Sequence, residues 1–222
     1  MLREFGPNEI VFLLMAARWT VLLSLVAFVG GSVVGLVLAI ARISRWRWLR
    51  AVTSFWIQLV QATPILMLLL LFYFGLNLFG LRVDAWVAAA IAFTIGTSAF
   101  LAEIWRGSME TVPKGQWEAS KALALDFKRT LALVIIPQAV RIALPPTVGY
   151  TVQVIKGTSL AALIGFNELA KAGLQMNTIT FEPVAVFGTV SLIYFAMCFP
   201  LSMLARRLEK KLHVGTLRVQ AL

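Results

Sequence analysis

The sequence predicts an all-α integral membrane protein of about five transmembrane helices, with one polar helix held outside the bilayer. Three observations predict it. The 222 residues are 60% hydrophobic and 14% charged, with a mean hydropathy of +0.86, whereas soluble domains carry about 25% charged residues. The apolar residues gather into five runs near the roughly 20 residues that a helix needs to cross the hydrocarbon core. The Lys and Arg residues behind the net charge of +10 sit at the ends of those runs. That placement describes membrane topology and argues against a nucleic-acid-binding face.

The runs are Trp19 to Ile40, Phe55 to Phe74, Ala85 to Ala102, Val140 to about Phe166, and Val184 to Leu204. Ala39-Ile40-Ala41 after the first run resembles a signal-peptide cleavage site, but the run is too long, and Arg42, Arg45, Arg47 and Arg50 follow at once; a retained helix is expected. Gly31 and Gly35 within it form a small-xxx-small pair, the pattern of close helix packing. Gln61 with Thr63-Pro64 marks a polar break early in the second run, read as structural or gating. Glu103 and Arg106 at i and i+3 fit an intrahelical ion pair. Glu103 is read as the only acidic residue near a span core.

Positive charge orients the spans. One set of connections holds Arg42, Arg45, Arg47 and Arg50, then Arg106, Lys114, Lys121, Lys128 and Arg129, then Arg206, Arg207, Lys210, Lys211 and Arg218. The other holds Arg3, Arg18, Arg82 and Lys171. The first set is assigned to the cytoplasm, which puts the N-terminus outside and the C-terminus inside. Trp46 and Trp48 among the arginines fit an interfacial anchor.

In the fourth run Pro137, Pro145 and Pro146 each remove a backbone donor and are expected to kink or stop the helix. Beyond them comes a polar stretch, Gln153 to Ser159, with Lys156, Gly157 and Thr158. Two arrangements answer to it: a helix end at the outer surface, or an unwound segment lining a translocation path. Cys198 is the only cysteine and lies in an apolar run, so it reads as an inert buried thiol; His213 is the only histidine. No transition-metal cluster can be assembled from these.

The stretch from Glu103 to Gln138 is polar where the rest is apolar, and Pro113 to Phe127 is expected to form one cytoplasmic helix. Thr111 or the Pro113-Lys114-Gly115 turn starts it. Lys114, Glu118 and Lys121 share one face; Ala119, Ala122, Leu123 and Phe127 share another. Such a helix can fill a partner's groove or lie at the headgroups, and amphipathicity alone favours the headgroups.

Further residues decide between these. Glu118-Ala119-Ser120, then Leu123-Ala124, and a run ending Ile136-Pro137 resemble the EAA signature of ABC-importer permeases. Arg106-Gly107, the run Val112 to Ala119, Pro137-Gln138-Ala139 with Arg141 to Pro146, Lys156 with Thr158-Ser159-Leu160, and Thr63-Pro64 followed by Tyr73-Phe74-Gly75 resemble the polar amino-acid subfamily. The resemblance covers about residues 12 to 212.

It implies a type I ABC-importer permease fold, a single transmembrane domain over residues 1–222 with a coupling segment at about 106–138. It implies a bacterial inner-membrane protein that carries polar amino acids by alternating access. The implied partners are two ABC ATPase subunits, a second permease chain (identical or paralogous), an extracytoplasmic amino-acid-binding protein, the amino acid and the lipid bilayer, without nucleic acid. The coupling residues would be Pro113, Lys114, Gly115, Trp117, Glu118, Ala119, Ser120, Ala122 and Leu123, with Trp117, Leu123 and Phe127 anchoring the helix to its own membrane domain. Glu103, Gln153, Lys156, Gly157, Thr158 and Ser159 would belong to the substrate path, and Arg106, Gln61, Thr63 and Pro64 to gating or framework.

The chain would be no enzyme and hold no cofactor, because the phosphate-binding motif Gly-x-x-x-x-Gly-Lys-Ser/Thr is absent. ATP and Mg would be bound by the partner ATPase. Three positions depart from the pattern: Ser120 replaces Ala, Gly157 stands where many relatives carry Asp, and Ala124 replaces the signature Gly, which would turn the usual bend into continuous helix. The alternative is an ion-coupled secondary transporter of small polar solutes, which should show paired repeats and a mid-membrane carboxylate.

Overall fold

The computed structural model describes the backbone of residues 4–220 and the side chains of residues 4–212. Arg3, and the side chains of His213 and Arg218, lie outside the described residues. Four helices are long and apolar enough to cross a membrane: α1 (Pro7–Arg42), α4 (Ala85–Thr111), α6 (Phe127–Ile164) and α8 (Pro183–Gln220). Between α1 and α4 run α2 (Arg47–Ala62) and α3 (Ile65–Leu78), bent 98° to each other. The short helices α5 (Lys114–Ala122) and α7 (Leu169–Thr180) complete the described residues.

The second predicted span is therefore not straight: Thr63-Pro64 breaks it. Pro64 has no N–H to continue the ladder and pushes Thr63 into an extended conformation (φ −88°, ψ 122°). Counting the bent pair as one crossing gives the five expected spans. The prolines of the fourth run behave otherwise. Ahead of Pro137 the helix widens into a π turn (Thr130–Ile135), which absorbs the missing donor; Pro145 and Pro146 lie inside a helix that continues to Gly157. The stretch from Gln153 is likewise not unwound. It stays helical and tightens to a 3₁₀ turn over Thr158–Ile164, ended by Gly165 in the left-handed conformation (φ 87°).

The tightest helix pair is α1 with α4. A Cβ added to Gly31 would come 2.5 Å from Thr97 Cγ2, and one on Gly35 would come 2.9 Å from the Ser98 carbonyl oxygen, so two backbones meet where only glycine fits. Trp19 meets Trp86, Gly31 meets Thr97 and Gly35 meets Leu101, a nearly constant offset, so the two helices run parallel. On the other flank of α4, Phe100 stacks on Tyr150 and Trp105 Nε1 donates to Thr147 Oγ1 at 3.0 Å, which sets α6 antiparallel to it. Helix α8 packs along α6, with Cys198 buried against Val152 and Ile155.

At the start of α7 lies Glu168, fully buried. Its Oε2 accepts from Thr20 Oγ1 (3.2 Å) and Tyr194 Oη (2.7 Å), and its Oε1 accepts from the Lys171 N–H (2.9 Å). The Leu169 N–H donates in turn to Thr20 Oγ1. One carboxyl group thus joins α1, α7 and α8, and the expectation that Glu103 is the only acidic residue near a span core is wrong. The helix α7 itself gives no span signal, being short and mixed in polarity.

The polar segment is shorter than expected. Helix α5 ends at Ala122, not at Phe127, and a new helix starts at Phe127, capped by Asp126 Oδ1 accepting from the Arg129 N–H at 2.8 Å. What stops α5 is Ala124, which takes the left-handed conformation (φ 54°). The Leu125 N–H donates to the Ser120 carbonyl (3.0 Å) and the Ala124 N–H to that of Lys121 (2.9 Å), the hydrogen-bond pair of a Schellman cap. The expected continuous helix through Ala124 does not form; the two capping hydrogen bonds offset the cost of an alanine at positive φ, about 1 kcal/mol.

Three outcomes follow. Gly31→Val should lower stability by about 1–3 kcal/mol through overpacking, read as a lower thermal midpoint in detergent. Glu168→Ala, which strands two hydroxyls and an amide, should cost about 1–3 kcal/mol by the same measurement. Ala124→Gly should strengthen the α5 cap by about 0.5–1 kcal/mol, and slow amide exchange at Leu125.

Candidate functional site: a polar cavity and an exposed helix

Along the bend between α2 and α3, and between α4 and α6, lies an open cavity of about 760 Å³. Gln61, Thr63 and Pro64 line it from the bend, and Gln153, Lys156, Gly157 and Ser159 from α6. Most of the residues predicted for the path or its gate therefore meet in one place. The 98° bend makes the room: a straight second span would carry Ile65 and Leu68 past α4 instead of across it.

Two predicted path residues stand elsewhere. Thr158 is fully buried and its hydroxyl donates to the Ile155 carbonyl (2.7 Å), so it faces the protein interior rather than the cavity. Glu103 does not line the cavity; it pairs with Arg106, which also holds Glu110, in a cluster on α4. The plain ion-pair reading of Glu103 and Arg106 is what the structure has. Arg42 Nε and Glu103 Oε2 remain buried without hydrogen-bond partners.

The cavity also uses residues that sequence reasoning passed over: Phe93, Gly96, Thr97 and Phe100 on α4 and Tyr150 on α6. They read as ordinary span residues, and only the i, i+3, i+4, i+7 spacing of the first four could have suggested a common face. Small residues again set the spacing. A Cβ on Gly96 would approach Ile65 Cδ1 to 3.0 Å, and one on Gly157 would approach Phe93 Cε1 to 3.2 Å. Gln61 is fixed by donating to the Ala99 carbonyl at 3.2 Å.

At the end of α4 the short α5 is held by few contacts. Trp117 is half-buried against the main apolar cluster, and Ser120 is buried with its hydroxyl donating to the Gln116 carbonyl (2.7 Å). Gln138 Nε2 donates to Gln116 Oε1 (3.3 Å) and to the Val134 carbonyl (2.8 Å), tying α5 to the π turn of α6. The anchoring expected of Leu123 and Phe127 is not found: Leu123 is 75% exposed and Phe127 is 42% exposed. Of the three expected anchors only Trp117 packs on the membrane domain, and buried Ser120, one turn on, joins it. Pro113, Lys114, Gly115, Glu118, Ala119, Ala122 and Leu123 are all exposed.

Comparison with known proteins fits this geometry. The family model of binding-protein-dependent transport system inner membrane components matches residues 31–214. The probable amino-acid ABC transporter permease YckA of Bacillus subtilis is 35% identical over 90% of this chain and 88% of its own length. The glutamine transport system permease GlnP of Escherichia coli is 32% identical over 92% and 94%, and the L-cystine transport system permease TcyB of B. subtilis is 33% identical over 87% and 83%.

Among solved structures, an amino acid ABC transporter crystallised with histidines superimposes with a TM-score of 0.84 at 30% identity, covering 90% of this chain and 94% of that one. The inward-facing MetNI methionine ABC transporter gives 0.80 at 19% identity, covering 94% and 99%, a likeness of fold. With its five-span helical fold, its exposed helix at the end of α4 and these matches, the chain belongs to the binding-protein-dependent inner-membrane permeases, in the branch of amino-acid ABC transporter permeases.

Proposed function

We propose that the chain is the translocating subunit of an ATP-driven importer of polar amino acids, working by alternating access. The observation that carries this reading is α5: a short polar helix with most of one side exposed, packed on the membrane domain through Trp117 and buried Ser120, tied to α6 by the Gln116–Gln138 hydrogen bond and joined to α4 by the chain. A push on α5 is transmitted to α4 and α6 directly, because only a two-residue link separates α5 from α4. Two ATPase subunits, holding ATP and its magnesium, receive Glu118, Ala119, Ala122 and Leu123 in a cleft. Glu118 pairs with a basic group there, and the alanines permit close approach.

A second permease chain faces the cavity to complete the path, and an external binding protein delivers the amino acid to its outer mouth. In this reading the N-terminus is outside and the C-terminus cytoplasmic, with residues 1–222 forming one permease domain and about 106–138 its coupling segment. The arginines after α1, stacked Trp46 and Trp48 among them (centroids 6.2 Å apart), then lie at the cytoplasmic headgroups. The chain performs no chemistry of its own.

Replacing Glu118 and Ala119 together by Arg should abolish ATPase capture while leaving membrane insertion intact. With a tagged permease, the copurifying ATPase is expected to fall roughly tenfold or more, as loss of an interface hot spot does. Normal copurification and uptake would remove α5 from the coupling role. In liposomes, uptake should require the ATPase and ATP; uptake driven by an ion gradient alone would instead support a secondary transporter.

A further inference from the structure

The cavity wall has a charge that the transport reading leaves unbalanced. Among the side chains lining the cavity, Lys156 alone is charged and none is acidic. The ion pairs between described residues lie elsewhere, around Arg106 and at Arg129 with Asp126. Lys156 is exposed to the cavity, and the Ser159 hydroxyl donates to its backbone carbonyl, not to its side chain. The same cavity is lined by the rings of Phe93, Phe100 and Tyr150, which screen a charge poorly compared with water. The next residue brings no countercharge either: it is Gly157, whose added Cβ would point at the Phe93 ring, on the same cavity.

We infer that the solute supplies the missing charge, so that the cavity takes an amino acid with a second carboxylate in preference to a neutral one, and a neutral one in preference to a cationic one. Lys156 is then the specificity-determining residue. The inference rests on the reading of this cavity as the translocation path. A unit charge met at close range in a partly desolvated site changes affinity by roughly tenfold even after screening. The neutral donors Gln61, Thr97 and Gln153 are left to hold the rest of the solute without preference of sign.

The test uses the purified permease and ATPase complex without the external binding protein, so that its selectivity does not enter. Radiolabelled L-glutamate, L-glutamine and L-arginine are titrated in turn. Affinity is expected to fall in that order, by roughly tenfold per step. Lys156→Gln should erase the difference between glutamate and glutamine. Gly157→Asp, which sets a carboxylate beside Lys156, should raise arginine relative to glutamate.

Arginine bound as tightly as glutamate, or an order unchanged in Lys156→Gln, overturns charge selection and leaves the path in place. Binding of none of the three overturns the path reading as well. If Lys156→Gln does not accumulate, the order in the unaltered complex and the gain of arginine relative to glutamate in Gly157→Asp decide the matter.

Discussion

The rest of the structure depends on the seam where α1 lies against α4. Lipid tails are as apolar as leucine, so burial of apolar surface does not drive helices together in a bilayer; close packing and internal hydrogen bonds must. Gly31 and Gly35 provide that packing by letting the backbone of α1 rest on Thr97 and Ser98. Thr97 also lines the cavity, so the same turn of α4 holds the scaffold on one flank and shapes the cavity wall on the other. A shift at the seam would be felt at the cavity wall and, through Thr111, at the exposed helix beyond it.

Glu168 fixes the opposite end of the bundle by different means. A buried polar group is costly unless its hydrogen bonds are met, and here each carboxyl oxygen has a donor, drawn from α1, α7 and α8. The arrangement bears on mechanism. An ion-coupled transporter needs a carboxylate that faces the solute path, whereas Glu168 is closed off from the cavity and occupied on both oxygens. A buried acid in a membrane domain is in this case a strut between helices.

Much of this was legible in the sequence, and the failures share a cause. Apolar runs are a one-dimensional signal, and the spans begun by Trp19, Ala85 and Val184 lie inside the helices found, which extend beyond them as polar continuations that hydropathy ignores. The Gly31 and Gly35 pair announced its role because small residues four apart have one common use. Pro145 and Pro146 misled because a proline's missing hydrogen bond is a local fact, while its repair by neighbouring turns is not. Thr63-Pro64 showed a break, but the angle depends on what α3 packs against. Lys156 and Gln153 do line the cavity, yet Thr158, in the same run, turned inward: a 3₁₀ turn changes the angular step between residues. Glu168 gave no signal, since its partners Thr20 and Tyr194 are remote in sequence.

The turn at Ala124 has a wider meaning. The EAA signature is written as letters, with a glycine at the bend, yet here a bend forms with alanine, in a left-handed torsion closed by two capping hydrogen bonds. What the signature encodes is a backbone angle, and glycine is only its least strained spelling. A search keyed to the consensus glycine would score this chain as defective at a position where its geometry is intact. Such a signature is better read as a constraint on φ and ψ, with a tolerance of about 1 kcal/mol, inside which the amino acid can drift while the hinge stays in place.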